Sequence, residues 1–210
     1  MNYDLFSDNS RSFIDGERLS LPGANLTIFR QFLSAQQAEA FFQLLRAEIS
    51  WQQEQIQVYG RSVNIPRMSA WYGDAHKVYT YSGLRSDPLS WTPGLLEIKK
   101  IAEEQCQYKF NSALANLYRD GSDSVAWHSD NEPELGNTPV IGSVSLGESR
   151  TFQMKHKTKK NLKYSIQLES GSLLLMKGDT QNNWLHQVPK TTKTLNERIN
   201  LTFRFIHLNT

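Results

Sequence analysis

Arg198-Ile199-Asn200-Leu201-Thr202-Phe203-Arg204-Phe205-Ile206 alternates polar and apolar residues without a break. At the two-residue period of a β-strand, Arg198, Asn200, Thr202 and Arg204 share one face. Ile199, Leu201, Phe203 and Phe205 share the other. So apolar a face places the strand inside a fold rather than on a solvated edge. The polar face then carries two guanidinium groups inward, and buried arginine is costly unless it meets an anion. Each guanidinium suits a carboxylate in bidentate fashion, and Asn200 and Thr202 add neutral hydrogen-bonding groups between them.

Outward from this strand, the C-terminal half keeps the same texture. Short β-like runs are expected at 112–118, 140–146, 151–155, 164–168 and 172–177, punctuated by Gly121, Gly136, Gly147, Gly171 and Gly178. The N-terminal half reads as helices. Ser34 and Gln37 form a capping-box pair ahead of an apolar stripe of Ala38, Phe41, Phe42, Leu45 and Ile49. Thr92-Pro93 opens a second helix, with Leu95, Ile98, Ile101 and Ala102 on one side. Helices first and many strands after predict an α+β, mainly β fold. The expected architecture is a double-sheet jelly roll with helices packed outside and room for a small ligand between the sheets.

A chain of 210 residues, 39% hydrophobic, suits one well-buried domain. Residues 1–20 are polar and expected as an arm, with a single domain over 21–210. Charge is 23 basic against 21 acidic, a net of +2, which does not suit a bulk polyanion binder. Any nucleic-acid surface is confined to a local patch, and Met154-Lys-His-Lys-Thr-Lys-Lys160 is the candidate hairpin for phosphates. The single Cys106 excludes an internal disulfide and a cysteine-based zinc site, and fits a reducing compartment. The N-terminus lacks the pattern of a secretory signal, and no apolar run reaches membrane-spanning length. The expected setting is soluble and intracellular, cytoplasmic in a bacterium or nuclear in a eukaryote, with no membrane partner and a monomeric state.

His128 and Asp130 are one residue apart, so on an extended segment both point the same way. A distant third imidazole would complete a two-histidine, one-carboxylate set that leaves metal positions open. His207 lies near the end and His156 sits in the basic run, which favours His186 as that third ligand. Asn116 and Tyr118 share a face of the 112–118 run, where Tyr118 can close a pocket around the same carboxylate. A metal beside an arginine-bound anion points to an iron enzyme with a carboxylate cosubstrate.

Taken in order, Asn116-Leu-Tyr118-Arg-Asp-Gly121, His128-Ser-Asp130, His186 and Arg198-x-Asn200-x-Thr202-x-Arg204 resemble the AlkB family. The likeness covers roughly residues 55–206 and is strongest to members that repair alkylated DNA. It implies a double-stranded β-helix and a dioxygenase using Fe(II), 2-oxoglutarate and O2. N-methylated bases such as 1-methyladenine and 3-methylcytosine would be demethylated oxidatively, releasing formaldehyde and succinate. DNA is the implied partner, with RNA left open.

The resemblance also implies roles. His128, Asp130 and His186 would hold iron. Asn116, Tyr118, Arg198, Asn200, Thr202 and Arg204 would hold 2-oxoglutarate. Residues of about 50–90 would form a nucleotide-recognition lid. Within it, Tyr81 would stack on a flipped base opposite His128, with Tyr79 and Thr80 beside it. Val58-Tyr59-Gly60 would form a finger that fills the gap in a duplex, and Arg61 and Arg67 would reach phosphates or the base. Asn131 and Glu132, after the metal Asp, would face the base. Two rival readings are an oxygenase acting on a protein or small molecule, and a non-catalytic nucleic-acid-binding jelly roll. Neither explains the complete metal set, the arginine strand and the aromatic lid together.

Overall fold

The computed structural model describes residues 15–207, apart from Tyr59, 76–78, 82 and 83; at 58, 79–81 and 84–86 it describes the main chain alone. The first half runs β1 (Glu17–Leu19), β2 (Asn25–Phe29), α1 (Ala35–Glu48), β3 (Gln55–Val58), β4 (Arg61–Asn64), β5 (Met68–Gly73), β6 (Tyr79–Tyr81), β7 (Leu84–Ser86) and α2 (Pro93–Cys106). The second runs β8 (Ser112–Tyr118), β9 (Val125–His128), β10 (Ile141–Gly147), β11 (Arg150–His156), β12 (Lys163–Leu168), β13 (Ser172–Lys177), α3 (Thr180–Asn183), β14 (Trp184–Val188) and β15 (Arg198–Arg204).

The helix starts follow from local chemistry. Ser34 Oγ accepts the Gln37 N–H while Gln37 Oε1 accepts the Ser34 N–H, closing the capping box at the head of α1. Thr92 Oγ1 accepts the Leu95 N–H, and Pro93 occupies the first turn of α2, where no N–H is needed. Ala38, Phe41 and Leu45 of α1 and Leu95, Ile98 and Ala102 of α2 are buried in one cluster with Ala115, Val144, Leu173, Ile199, Leu201 and Phe203. Both helices therefore cover one face of a large sheet.

That sheet has seven antiparallel strands in the order β1-β2-β13-β10-β15-β8-β5. A smaller sheet of four, β12-β11-β14-β9, faces it. A second core of Ile28, Ile141, Leu174 and Met176 from the large sheet and Phe152, Ile166, Leu168 and Trp184 from the small one fills the space between. Helices, large sheet and small sheet thus form three layers, the expected double-stranded β-helix. Every residue of β15 is buried. Its apolar face meets the helices and its polar face looks between the sheets.

Three expectations change in detail. Residues 17–19 of the expected arm form an edge strand paired with β2. The expected lid is not one unit: β5 belongs to the large sheet, while β3–β4 and β6–β7 are separate hairpins. The N-terminal half, expected as helices, also carries seven strands among its described residues, β1–β7, and in the C-terminal half β9 and β14 lie outside the expected runs; these last two serve the site below. No helix among the described residues is long and apolar enough to cross a membrane.

Candidate metal centre

β9 and β14 lie side by side in the small sheet, and His128 is the direct cross-strand partner of His186. Their rings approach edge to face with centroids 4.2 Å apart. Asp130 follows just beyond the end of β9. Its Oδ1 lies 3.7 Å from His128 Nε2. One ligand atom from each of His128, Asp130 and His186 lies within 4.8 Å of the others. This is the only such cluster among the described residues, and two imidazoles with one carboxylate suit an open-sided iron(II) site.

The protonation states are prepared for a metal. His128 Nδ1 lies 2.8 Å from the Ala126 carbonyl, which can only accept, so that nitrogen donates and Nε2 is the ring atom left to face a metal. Burial, then the charges of His128, Arg204 and Lys157, hold the His186 imidazole down at about 3, against an opposing pull from Asp130. It is neutral at physiological pH. Phe152 stacks on that ring at 5.1 Å. Burial pushes the Asp130 carboxyl up, but Arg204, His186 and His128 outweigh it and hold it below the usual carboxylate range. Arg204 Nη2 is 3.2 Å from Asp130 Oδ1.

From the three ligands a narrow cavity runs between the sheets, lined by Asn116, Tyr118, Arg198, Asn200, Thr202 and Arg204 among others. All six expected cosubstrate residues therefore meet in one place. The two arginines stand at opposite ends of the β15 face. Arg204 is at the metal ligands; Arg198 is remote from them. Arg198 Nη2 donates to Ser145 Oγ at 2.9 Å, and its guanidinium lies over the Tyr118 ring at 5.0 Å. Its Nε and Nη1 are buried with no hydrogen-bond partner among the described residues. Burial pushes this guanidinium's pKa down. A buried arginine with unused donors fits an anion, which supplies the missing acceptors.

Between them, Asn200 Nδ2 donates to Ser143 Oγ at 2.8 Å and to the Val144 carbonyl at 2.9 Å, and Thr202 Oγ1 donates to Asn200 Oδ1 at 3.1 Å. Ser143 and Ser145 on β10 were not singled out as site residues. Their signal was available: both are small polar residues on the same face of a predicted strand.

The expected substrate residues divide. Arg67 is buried, not on a phosphate-facing surface. Its Nε donates to Asn116 Oδ1 at 2.7 Å, and it lines the cavity wall. Gly60 has φ +76 and sits at the tip of the β3–β4 hairpin, where Arg61 is exposed. That positive φ suits glycine in a two-residue hairpin loop. Asn131 is exposed and Glu132 half-buried, with Glu132 Oε2 lacking a partner among the described residues. Tyr59 and the side chains of Tyr79, Thr80 and Tyr81 lie outside the described residues. In the basic run, Lys155 caps the Trp127 ring at 4.3 Å and Lys157 Nζ donates to the Gln181 carbonyl at 2.8 Å.

Residues 25–204 match the model of the 2OG-Fe(II) oxygenase superfamily. The bovine alpha-ketoglutarate-dependent dioxygenase alkB homolog 3 is 40% identical over 185 residues, covering 84% of this chain and 64% of the relative. The human DNA oxidative demethylase ALKBH2 is 37% identical over 182 residues, covering 82% and 70%. The chain spans about two thirds of the length of the curated relatives it matches. The solved structure of OsALKBH1 superposes with a TM-score of 0.64 at 17% identity, covering 91% of this chain and 100% of that one, which bears on the fold alone. With the metal triad and the arginine strand already in place, these matches make the chain a member of the AlkB family within the 2OG-Fe(II) oxygenase superfamily.

Proposed function

We propose that this chain repairs alkylated DNA by oxidative demethylation of N-methylated bases such as 1-methyladenine and 3-methylcytosine. The observation that carries the reading is the cavity with the metal triad at one end and an incompletely satisfied buried arginine at the other. The names of the relatives, alkB homolog 3 dioxygenase and DNA oxidative demethylase, supply the substrate class.

His128, Asp130 and His186 hold iron(II). Iron(II), 2-oxoglutarate and O2 supply an oxidation that converts an N-methyl group to formaldehyde and the cosubstrate to succinate and CO2. The chain's own residues bind, orient and exclude water. Arg198 and Tyr118 take the carboxylate of 2-oxoglutarate distant from the metal, because Arg198 has donors to spare and lies away from the ligands. Arg204 steadies Asp130 and the near carboxylate. Asn116, Asn200 and Thr202 line the space between.

On the open side, Tyr81, with Tyr79 and Thr80, covers a flipped base opposite His128. Tyr59 and Gly60 fill the gap in the duplex, and Arg61 meets phosphate. Glu132, with an unused carboxylate oxygen, accepts from a base amino group, and Asn131 adds a neutral contact. Damaged bases are cheap to extrude, so little sequence readout is needed.

The test is product analysis on matched single- and double-stranded methylated DNA and on methylated RNA, with and without iron and 2-oxoglutarate. Formaldehyde release coupled to succinate on a DNA arm is expected. Succinate without demethylation of any nucleic acid would overturn the substrate assignment.

A further inference from the structure

Gln181 is 1% exposed, in the single turn α3 that leads directly into β14 and His186. Its Oε1 accepts the backbone N–H of Asp130 at 3.0 Å. Its Nε2 points to Met176 Sδ at 3.5 Å. Its own carbonyl accepts Lys157 Nζ at 2.8 Å, which holds α3 from the far side. A buried amide persists where its polar atoms are used, and here the acceptor is used on the main chain of a metal ligand.

We propose that Gln181 is a positioning residue for the metal centre, tying the loop after β9 to the turn before β14 and so setting Asp130 against His186. The inference rests on the reading of His128, Asp130 and His186 as the ligands. Asp130 lies past the last paired residue of β9, so no ladder bond fixes it. Remove the acceptor at 181, and a buried N–H is left unsatisfied and the carboxylate loses its aim but not its charge. Metal affinity and kcat should suffer. Recognition of nucleic acid, which occurs on the open side, should not.

The experiment uses the full chain and Mn(II) alone as probe, titrated by the electron paramagnetic resonance of the free ion. Gln181→Met removes the acceptor at near-constant volume, and Gln181→Asn withdraws it by one methylene. Gln181→Glu keeps an acceptor in reach. Leu174→Ala, in the core between the sheets, serves as a control for lost packing. Thermal stability without metal, and kcat and KM on a methylated oligonucleotide, are measured alongside.

Both Gln181→Met and Gln181→Asn should bind Mn(II) roughly 10–100-fold more weakly, the usual effect of losing a partner behind a ligand. Their kcat should fall with KM for the oligonucleotide unchanged, and Gln181→Glu should restore affinity to near wild type. Leu174→Ala should lose stability without that loss of affinity. Wild-type Mn(II) affinity in whichever of the Met and Asn variants folds overturns the inference, as does weakening in proportion to stability across all variants. A wild-type chain that binds Mn(II) no better than Asp130→Ala overturns the metal reading, and the inference with it.

Discussion

Arg198 and Asp130 are 1% and 2% exposed, while Ile56 and Val63 are 36% and 45% exposed. The first pair belongs to the cavity, where Asn116 is held by Arg67, Asn200 by Ser143 and Arg198 by Ser145. The second pair are cross-strand neighbours on the β3–β4 hairpin, an isolated two-stranded sheet. The hairpin's other face is self-sufficient: Gln55 bonds Asn64 at 2.9 Å and accepts from Ser62 at 2.8 Å. The cavity holds its side chains in place before anything binds and leaves the Arg198 Nε and Nη1 donors for the ligand. The hairpin keeps an apolar face that the rest of the described chain does not bury. Reaction geometry is pre-organised in one region, and contact surface is held in reserve in the other.

The largest effect that would break this contrast is at the ligands. Asp130→Ala should abolish succinate and formaldehyde production, well beyond the roughly 10–100-fold expected for a residue behind a ligand. Its circular dichroism should match wild type, because Asp130 belongs to neither of the two hydrophobic cores. Full turnover under strict iron dependence would sink the assignment.

Next comes the anion end. Arg198→Ala should weaken 2-oxoglutarate binding by roughly 2–5 kcal/mol, measured by calorimetry without O2. Wild-type affinity would place the cosubstrate elsewhere and leave Arg198 structural.

The open side should give smaller and more selective effects. Tyr59→Ala should slow repair of duplex DNA by the equivalent of roughly 1–3 kcal/mol, the worth of one stacked base, and single strands by less. Tyr81→Ala should slow both alike. Equal loss on both substrates for Tyr59→Ala would remove the finger role.

The smallest effect is at Val63. Val63→Ser should change thermal stability by no more than about 0.5 kcal/mol, as for other exposed positions. A loss above about 1.5 kcal/mol would show that the hairpin packs against the body, which would erase the contrast.

Much of this was legible because β15 states its own environment. A seven-residue alternation with arginines on one face and Ile199, Leu201 and Phe203 on the other has few homes. β8, β10 and β13 read correctly for the same reason, and Ser34-x-x-Gln37 marked α1. What stayed hidden depended on long-range pairing. β9 and β14 are short, and each gives one position at the site to histidine where a strand would ordinarily show valine or leucine. Trp184, His186 and Val188 do alternate inward, a signal that five residues make faint. Arg67 was expected on phosphates or the base, and nothing local in the sequence says that it meets Asn116. Gln181 drew no notice because its partner is a backbone N–H far away in sequence.

The pairing of His128 with His186 in the β9–β14 ladder has a consequence for folding. Side chains alternate across a sheet, so a slip of one residue would turn one imidazole to the outer surface. A bound ion would therefore select the native register over its neighbours. At a free ion concentration one hundred times its dissociation constant, that preference is worth about 2.7 kcal/mol. Between a short, irregular strand pair and its slipped alternatives, such a margin makes the metal a proofreader of the chain's own assembly as well as a reagent.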